Sequence, residues 1–320
     1  MRQLPALAAT WGAARRATVL AALCLAAGTA AAPPHAGTNL PESPIAVVDD
    51  QGRLVRLPRP ARRAVTLAPH ATEFAWVAGA GGHVVATVSA SDWPPQARAL
   101  PRVGDGLQPD PERIAVHRPD LVIGWKTGRL DPAASALAGL GIPLYVSAPR
   151  HMADIPAAVR AYGRLFGTEA IAGPAADALQ RRLDALQARS RPGAPLRVFI
   201  QAGSDPIYTV NGEHILSDAL RLCGAVNVFA GLRAAAPRVG LEGVIAAQPD
   251  VIVAASPGAG PRDAQAAAKA AERWTQAGLP AALARRVHVF DPDLLHRPGP
   301  RLVDAAEQLC EVLDAVRAQR

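Results

Sequence analysis

Two stretches of this chain carry nearly the same message. Glu112-Arg-Ile-Ala-Val-His-Arg-Pro-Asp-Leu-Val-Ile123 matches Glu242-Gly-Val-Ile-Ala-Ala-Gln-Pro-Asp-Val-Ile-Val253, every paired position lying 130 residues apart. Each copy reads as a glutamate opening a short helix, a Pro-Asp pair ending it, and an apolar strand without polar alternation. The proline disfavours helical backbone at the residue before it, and the aspartate hydrogen-bonds turn backbone ahead of the strand. An unalternating apolar strand is buried on both faces, as in a parallel sheet covered by helices. One such unit used twice commits the chain to two similar α/β halves. The glutamates have a local use, because a carboxylate at a helix N-terminus gains a fraction of a kcal/mol from the helix dipole. They also place one acidic handle on each half, on one pseudo-symmetric face.

Between the copies, Gly173 to Ser190 reads as one helix. Pro174 suits its first turn, and no further Gly, Pro or β-branched residue follows before Ser190. Ala175, Leu179, Leu183 and Leu186 form a narrow apolar stripe, with Arg181, Arg182, Asp184 and Arg189 on the other faces. Arg191-Pro-Gly-Ala-Pro195 ends it. So thin a stripe lies across a surface rather than inside a core. The helix therefore reads as a rigid strut between two lobes; the plainer reading is a surface helix of one large domain. A length of 320 residues favours two lobes, being more than one core usually organises.

Strands alternate with helices on both sides of the strut. Strands are expected at 64–68, 83–88, 121–125, 142–146, 196–201, 207–210, 251–254 and 287–290. Helices are expected at 71–79, 112–116, 133–140, 155–166, 214–222, 241–247, 263–277 and 302–317. This grammar gives an α/β fold of two doubly wound, Rossmann-like lobes, residues 62–168 and 193–320, joined by a linking helix at 169–192. A ligand cleft is expected between them, at the strand C-terminal ends.

The N-terminus has Arg15-Arg16, an uncharged run from Ala17 to Ala27, and small residues through Ala32, the pattern of a secretory signal peptide over 1–32. The run is too short to span a bilayer. Cys24 follows Leu23, where a lipid-attachment signal would carry a small residue. Residues 33–61 are Pro-rich and polar, with a hairpin around Asp50-Gln51-Gly52. Export places the mature chain in an oxidising compartment. It also leaves two cysteines, Cys223 and Cys310, which pair as a disulfide there or stay as two buried thiols.

Three arginines of the leader account for part of the net charge of +7, leaving +4 on the rest. Lys126 and Lys269 are the lysines, and no basic run interleaves with aromatics, so nucleic acid is not a partner. There is no nucleophile elbow, no Walker loop and no Gly-x-Gly-x-x-Gly after a strand, which argues for binding rather than catalysis. There is no His-rich loop either, so no metal site is assigned. Several residues arrive at the expected cleft. Trp125 ends a strand and either lines the cleft or caps the core. Trp93 is held between Asp92 and two prolines. His70 and His296 approach from opposite lobes, as helix caps or as axial ligands to iron or cobalt. Arg297 is a surface arginine or a contact for an amide or phosphate.

The segments Ser91-Asp-Trp-Pro-Pro-Gln-Ala97, Pro119-Asp-Leu-Val-Ile-Gly-Trp125, Arg297-Pro-Gly-Pro-Arg301 and Glu307-Gln-Leu-Cys310 resemble those of the periplasmic cobalamin (vitamin B12) binding proteins of bacterial ABC importers. The resemblance runs from about Val65 to Leu313. It implies capture of cobalamin or a related corrinoid as cargo, with no resident cofactor, by a monomer that delivers it to an inner-membrane permease and its ATPase subunits. Glu112 and Glu242 then correspond to glutamates that dock into arginine pockets of the permease. Cys223 and Cys310 correspond to a disulfide. Asp293, Leu294, Leu295, His296 and Arg297 correspond to a ligand-contact segment, and Trp125 to a pocket tryptophan. The chain departs from the pattern at three places. A tryptophan six residues before each docking glutamate is Gly106 and Ala236 here, and a corrin-contacting tyrosine is Ala90; Trp93 is the candidate replacement ring. Haem or a ferric siderophore on the same scaffold is the alternative cargo. A metal-ion carrier and a chelatase-like enzyme stand behind both.

Overall fold

Hydrogen bonding sorts the principal strands into two parallel four-stranded sheets of the same order. The computed structural model describes residues 44–126, 130–189, 191 and 193–320. The expected leader and residues 33–43 lie outside these.

The first lobe opens with an antiparallel hairpin, β1 (Ile45–Val48) and β2 (Leu54–Leu57). There follow β3 (Ala64–Thr66), α1 (Pro69–Val77), β4 (Val84–Thr87), α2 (Pro111–Ala115), β5 (Leu121–Gly124), α3 (Leu130–Gly139), β6 (Leu144–Val146) and α4 (Asp154–Phe166). Next comes the connecting helix α5 (Glu169–Gln187). The second lobe contains β7 (Leu196–Gln201), β8 (Gly203–Ser204), β9 (Ile207–Tyr208), α6 (Ile215–Leu222), β10 (Ala225–Asn227) and α7 (Leu241–Ala247). It closes with β11 (Val251–Ala255), α8 (Ala264–Gln276), α9 (Pro280–Leu283), β12 (Val287–Phe290), α10 (Pro292–Leu295) and α11 (Leu302–Arg317). The sheets run β4-β3-β5-β6 and β10-β7-β11-β12, so each strand of one has a counterpart in the other.

The duplicated unit is duplicated in three dimensions. α2–β5 and α7–β11 share a burial pattern almost residue for residue, with Glu112 and Glu242 both exposed in a first turn and Ile114 and Val244 both buried. Arg118 and Gln248, one residue before the prolines, both adopt positive φ (45° and 42°). The aspartates do not serve their own turns, the role expected from sequence; they act across strands. Asp120 accepts the backbone N–H groups of Arg62 and Arg63 ahead of β3, and Asp250 accepts that of Arg197 in β7. The guanidinium of Arg63 in turn donates to the His117 carbonyl, and that of Arg197 to the matching Ala247 carbonyl. Each Pro-Asp pair thus staples a helix end and two neighbouring strands.

α5 differs from the expected strut in two ways. It begins at Glu169, so Pro174 lies inside it. Gly167, at φ 67°, ends α4 in a left-handed cap, and the next helix restarts at once after Thr168. α4 and α5 cross closely: an ideal Cβ on Gly163 would stand 2.5 Å from the Ala172 side chain. Pro174 costs the helix one backbone hydrogen bond near its start, where α4 packs along it. Second, Leu179, Leu183 and Leu186 are buried in a core that runs continuously from Phe74 and Tyr162 through these leucines to Leu196, Leu309 and Val316. The stripe is narrow, yet it is core. On the solvent side, Arg182 reaches Asp304 and Glu307 of α11.

Cys223, at the end of α6, is bonded to Cys310 of α11 (S–S 2.01 Å). β10, α9 and α10 escape a reading from sequence because segments of three or four residues cannot display a period. Among the described residues, no helix is long and apolar enough to cross a membrane.

Candidate ligand-binding cleft

Beyond the C-terminal ends of β5 and β6, the first lobe presents Trp125, Lys126, Ala148 and Arg150 to a cavity of about 660 Å3. The β1–β2 turn adds Asp50, Gln51 and Arg53. The second lobe faces them with Asn211, Glu213, His214 and Ala235, and with His296 and Pro298 after α10. The cavity is of ordinary ligand size and sits where open α/β sheets place ligands.

Trp125 is held from behind. The His70 ring packs edge-on against it at 5.3 Å, and His70 Nε2 lies 3.0 Å from the Ser147 carbonyl. Complete burial lowers the pKa of His70 to about 4, so the ring is neutral and Nε2 donates to that carbonyl. His70 therefore supports the cleft wall from within the core and does not itself line the cavity. His296 is different: it lines the cavity, and among the described residues its buried Nε2 has no hydrogen-bond partner. Burial lowers its pKa too. His214 caps α6, Nδ1 accepting the Leu216 N–H at 3.2 Å, which leaves the ring proton on Nε2. Burial, with His296 beside it, lowers the pKa of His214 to about 4.

Arg297, expected at the ligand, gives its guanidinium to carboxylates instead: Asp92 at 2.7 Å, Asp293 at 2.6 Å and Glu73 at 3.7 Å. Its side chain is 14% exposed. Arg301 completes the cluster with a two-pronged contact to Glu73 (2.6 and 3.0 Å) and lies 5.0 Å over the Trp93 ring. Glu73 is 2% exposed, and burial lifts its carboxyl above the ordinary range against the pull of both arginines. Asp92 moves the other way: burial opposes it, but the Arg297 hydrogen bond and charge hold its carboxyl below the usual value. Glu73 and Asp92 belong to the first lobe and Arg297, Arg301 and Asp293 to the second, so the cluster is a clasp between lobes.

The other expected contacts scatter. Trp93 is 43% exposed and sits at the clasp, outside the residues lining the cavity. Ala90 is exposed in the turn after β4 and does not line the cavity either. Asp293 serves the clasp, Leu294 packs on the core, and Leu295 is buried within it. Of the cleft-lining expectations, Trp125 and His296 face the cavity.

Sequence reasoning misses Asp50, Arg53, Asn211 and Glu213. Asp50 and Arg53 fall in a segment that reads as a tail, where only the hairpin signal is visible. Asn211-Gly212-Glu213 is a turn signal directly after a strand and before a helix, which marks a strand-end loop. Arg150 and Glu213, both lining the cavity, pair at 2.6 Å and bridge its two walls. Gly106, where the resemblance would place a tryptophan, has a φ of 84°, and an ideal Cβ there would stand 2.6 Å from the Leu67 carbonyl oxygen. No side chain fits at that position. Among the described residues, no group of three or more His, Cys, Asp and Glu could hold a metal ion.

Two matched α/β lobes, a shared helical core and a cleft across the strand ends define a two-lobed substrate-binding protein. The chain belongs to the periplasmic binding protein family, whose pattern it matches over residues 64–294. It is 35% identical to the vitamin B12-binding protein of Vibrio cholerae serotype O1, over 83% of this chain and 94% of that one. With the vitamin B12-binding protein of Pectobacterium atrosepticum it shares 34% identity, over 79% of this chain and 88% of the relative. The crystal structure of periplasmic vitamin B12 binding protein BtuF of Vibrio cholerae superposes with a TM-score of 0.72 at 34% identity, covering 80% of this chain and 98% of that one. The periplasmic heme-binding protein RhuT from Roseiflexus sp. RS-1 shares the fold (TM-score 0.67, 24% identity, 80% and 99% covered).

Proposed function

We propose that this chain is an exported carrier that captures cobalamin or a related corrinoid in the cleft between its lobes and hands it to an ABC importer. The observation that carries the reading is the cleft of about 660 Å3 itself, in a chain 35% identical to a vitamin B12-binding protein across 94% of that protein. Trp125 offers an aromatic face to a macrocycle. Lys126 and the Nε2–H of His214 offer donors to amide carbonyls or a phosphate, and Arg53 and Arg150 offer the N–H groups left over from their pairs with Asp49 and Glu213. Arg297 reaches a bound molecule only if it leaves its carboxylates, so its role is to fix the lobes that form the cleft.

Glu112 and Glu242 are the docking handles in this reading, exposed at equivalent helix starts. Residues 1–32 act as the cleavable leader. The lobes correspond to 62–168 and 193–320, with 169–192 between them.

Absorbance titration of the purified mature protein with cyanocobalamin, cobinamide and haem tests the reading. Cobalamin should bind in the micromolar range or tighter, about −8 kcal/mol or better. Haem binding without cobalamin binding would overturn the cargo. One observation favours that second cargo: the unpartnered Nε2 of His296 on the cleft wall is the kind of nitrogen haem iron takes. A Soret shift lost in His296→Ala would establish it.

A further inference from the structure

At the opposite end of the second sheet from the cleft, the edge strand β12 is entered through two consecutive arginines. Arg286 and His288 are two residues apart and share one face of the strand. With Arg285 and Arg262 they line a cavity of about 290 Å3 against α11, whose Gln308 and Glu311 form the far wall. Among the described residues, Arg286 Nε is buried there without a hydrogen-bond partner, while the His288 ring donates to the Pro261 carbonyl and leaves its Nε2 unpartnered. Among the described residues, neither Arg285, which is exposed, nor the half-buried Arg286 is in an ion pair, whereas the half-buried Arg191, Arg297 and Arg301 are each paired with carboxylates. Among those same residues Glu311 is the one acid lining the cavity, and it lies 3.9 Å from Arg262.

A second cavity, about 780 Å3, begins at the same residues: Pro261, Arg262, Arg285 and His288 border both. It runs along α8, where Ala264, Ala267, Ala268 and Ala271 give a smooth apolar wall, and ends by Leu283, which is 61% exposed. Asp263 and Glu272 also border this groove; Asp263 is occupied as the cap of α8, accepting the Ala266 N–H. The pair of cavities therefore has an unneutralised guanidinium end and an aliphatic trough leading away from it.

We propose that this edge of the second lobe binds an anionic amphiphile: an oxyanion head on Arg285 and Arg286, and an aliphatic chain along the alanine face of α8. Guanidinium groups match phosphate and carboxylate oxygens with paired, charge-assisted hydrogen bonds. A groove walled by methyl groups gains from any alkyl chain laid in it. The head explains the orphaned Arg286 Nε–H, and the chain explains the exposed trough beside it; a bare phosphate would account for the first alone.

Calorimetric titration of the full mature protein tests this with dodecyl phosphate below its micelle-forming concentration, inorganic phosphate, and dodecyltrimethylammonium. Dodecyl phosphate should bind at least about tenfold tighter than inorganic phosphate, since a buried chain adds favourable area throughout. The cationic surfactant should not compete. Arg285→Ala with Arg286→Ala should weaken dodecyl phosphate by about tenfold or more, the usual loss for a charge-assisted pair. Ala268→Gln should remove the advantage over inorganic phosphate, and cyanocobalamin affinity should be the same in every variant. Failure of dodecyl phosphate to bind, equal binding of all three probes, binding of phosphate as tight as of dodecyl phosphate, or binding indifferent to the double arginine variant would each overturn the proposal.

Discussion

Glu73 is the residue on which the contact between the lobes turns. It projects from α1 of the first lobe, nearly inaccessible, and Arg301 of the second lobe grips both of its oxygens. Breaking a buried pair by removing one charge is far costlier than the pair is worth against an apolar replacement, because the partner charge is stranded. Glu73→Gln keeps the shape and strands Arg301. It should lower unfolding free energy by about 3 kcal/mol, seen as a fall of several degrees in Tm. An unchanged Tm would mean that solvent screens the clasp. His70 makes a second test at this scale. Its folded pKa of about 4 lies below the ordinary 6.5, so the fold favours the neutral ring. That contribution is complete above pH 6.5 and is lost as pH falls toward 4, because the unfolded chain takes up the proton first. Each tenfold difference in proton affinity between the two states is worth about 1.4 kcal/mol, so the loss approaches roughly 3 kcal/mol. Urea midpoints at neutral and mildly acidic pH should fall less in His70→Gln, which keeps a donor for the Ser147 carbonyl, than in the natural protein. Equal falls would locate the acid sensitivity elsewhere, with His214 the next candidate.

At the scale of elements, α2 and α7 are the same device used twice, down to the arginine that ties each helix end to a neighbouring strand. Glu112 and Glu242 stand in the first turns of these helices, and both residues are exposed. An exposed ion pair in water is worth little, but one desolvated in an interface costs several kcal/mol to break. Glu112→Arg with Glu242→Arg should therefore abolish uptake in a reconstituted importer while cobalamin affinity stays unchanged. Undiminished transport would remove these helices from the docking surface. The elements are also where sequence is most informative. α4 and α11 fall where periodicity places them, since each repeats an apolar spacing over enough residues to be distinctive. Pro174 misleads about the start of α5, because proline is tolerated near a helix start when a packed neighbour holds the turn. The clasp is not legible at all. Glu73 sits in an apolar helix and Arg301 follows a Gly-Pro turn, and only the tertiary fold brings residues 228 positions apart within 2.6 Å. Arg297 stands out in the sequence as a special residue, but its partners Asp92, Asp293 and Glu73 do not. The cleft is legible in outline, through the strand ends, and illegible in its lining, because Asn211, Glu213 and Asp50 lie in turns whose direction no periodicity sets.

The whole molecule is a pair of lobes that share one core through α4, α5 and α11, with a disulfide binding α6 to α11 and a charged clasp across the other side. Such a body changes shape by small adjustments rather than by wide hinge rotation, so the cleft has to be nearly the right size before its cargo arrives. In the proposed reading cargo lies between the walls that Trp125 and Ala235 help to form. Titration of cyanocobalamin into the natural protein and into Ala235→Trp tests this most directly. Ala235 is exposed on the cleft wall, so an indole there fills the cavity without entering the core. Cobalamin should bind the natural protein at micromolar concentration or below and bind the variant at least about tenfold more weakly, a difference near 1.4 kcal/mol. Equal affinity in both, or no cobalamin binding in either, would contradict a carrier that holds its cargo between these walls.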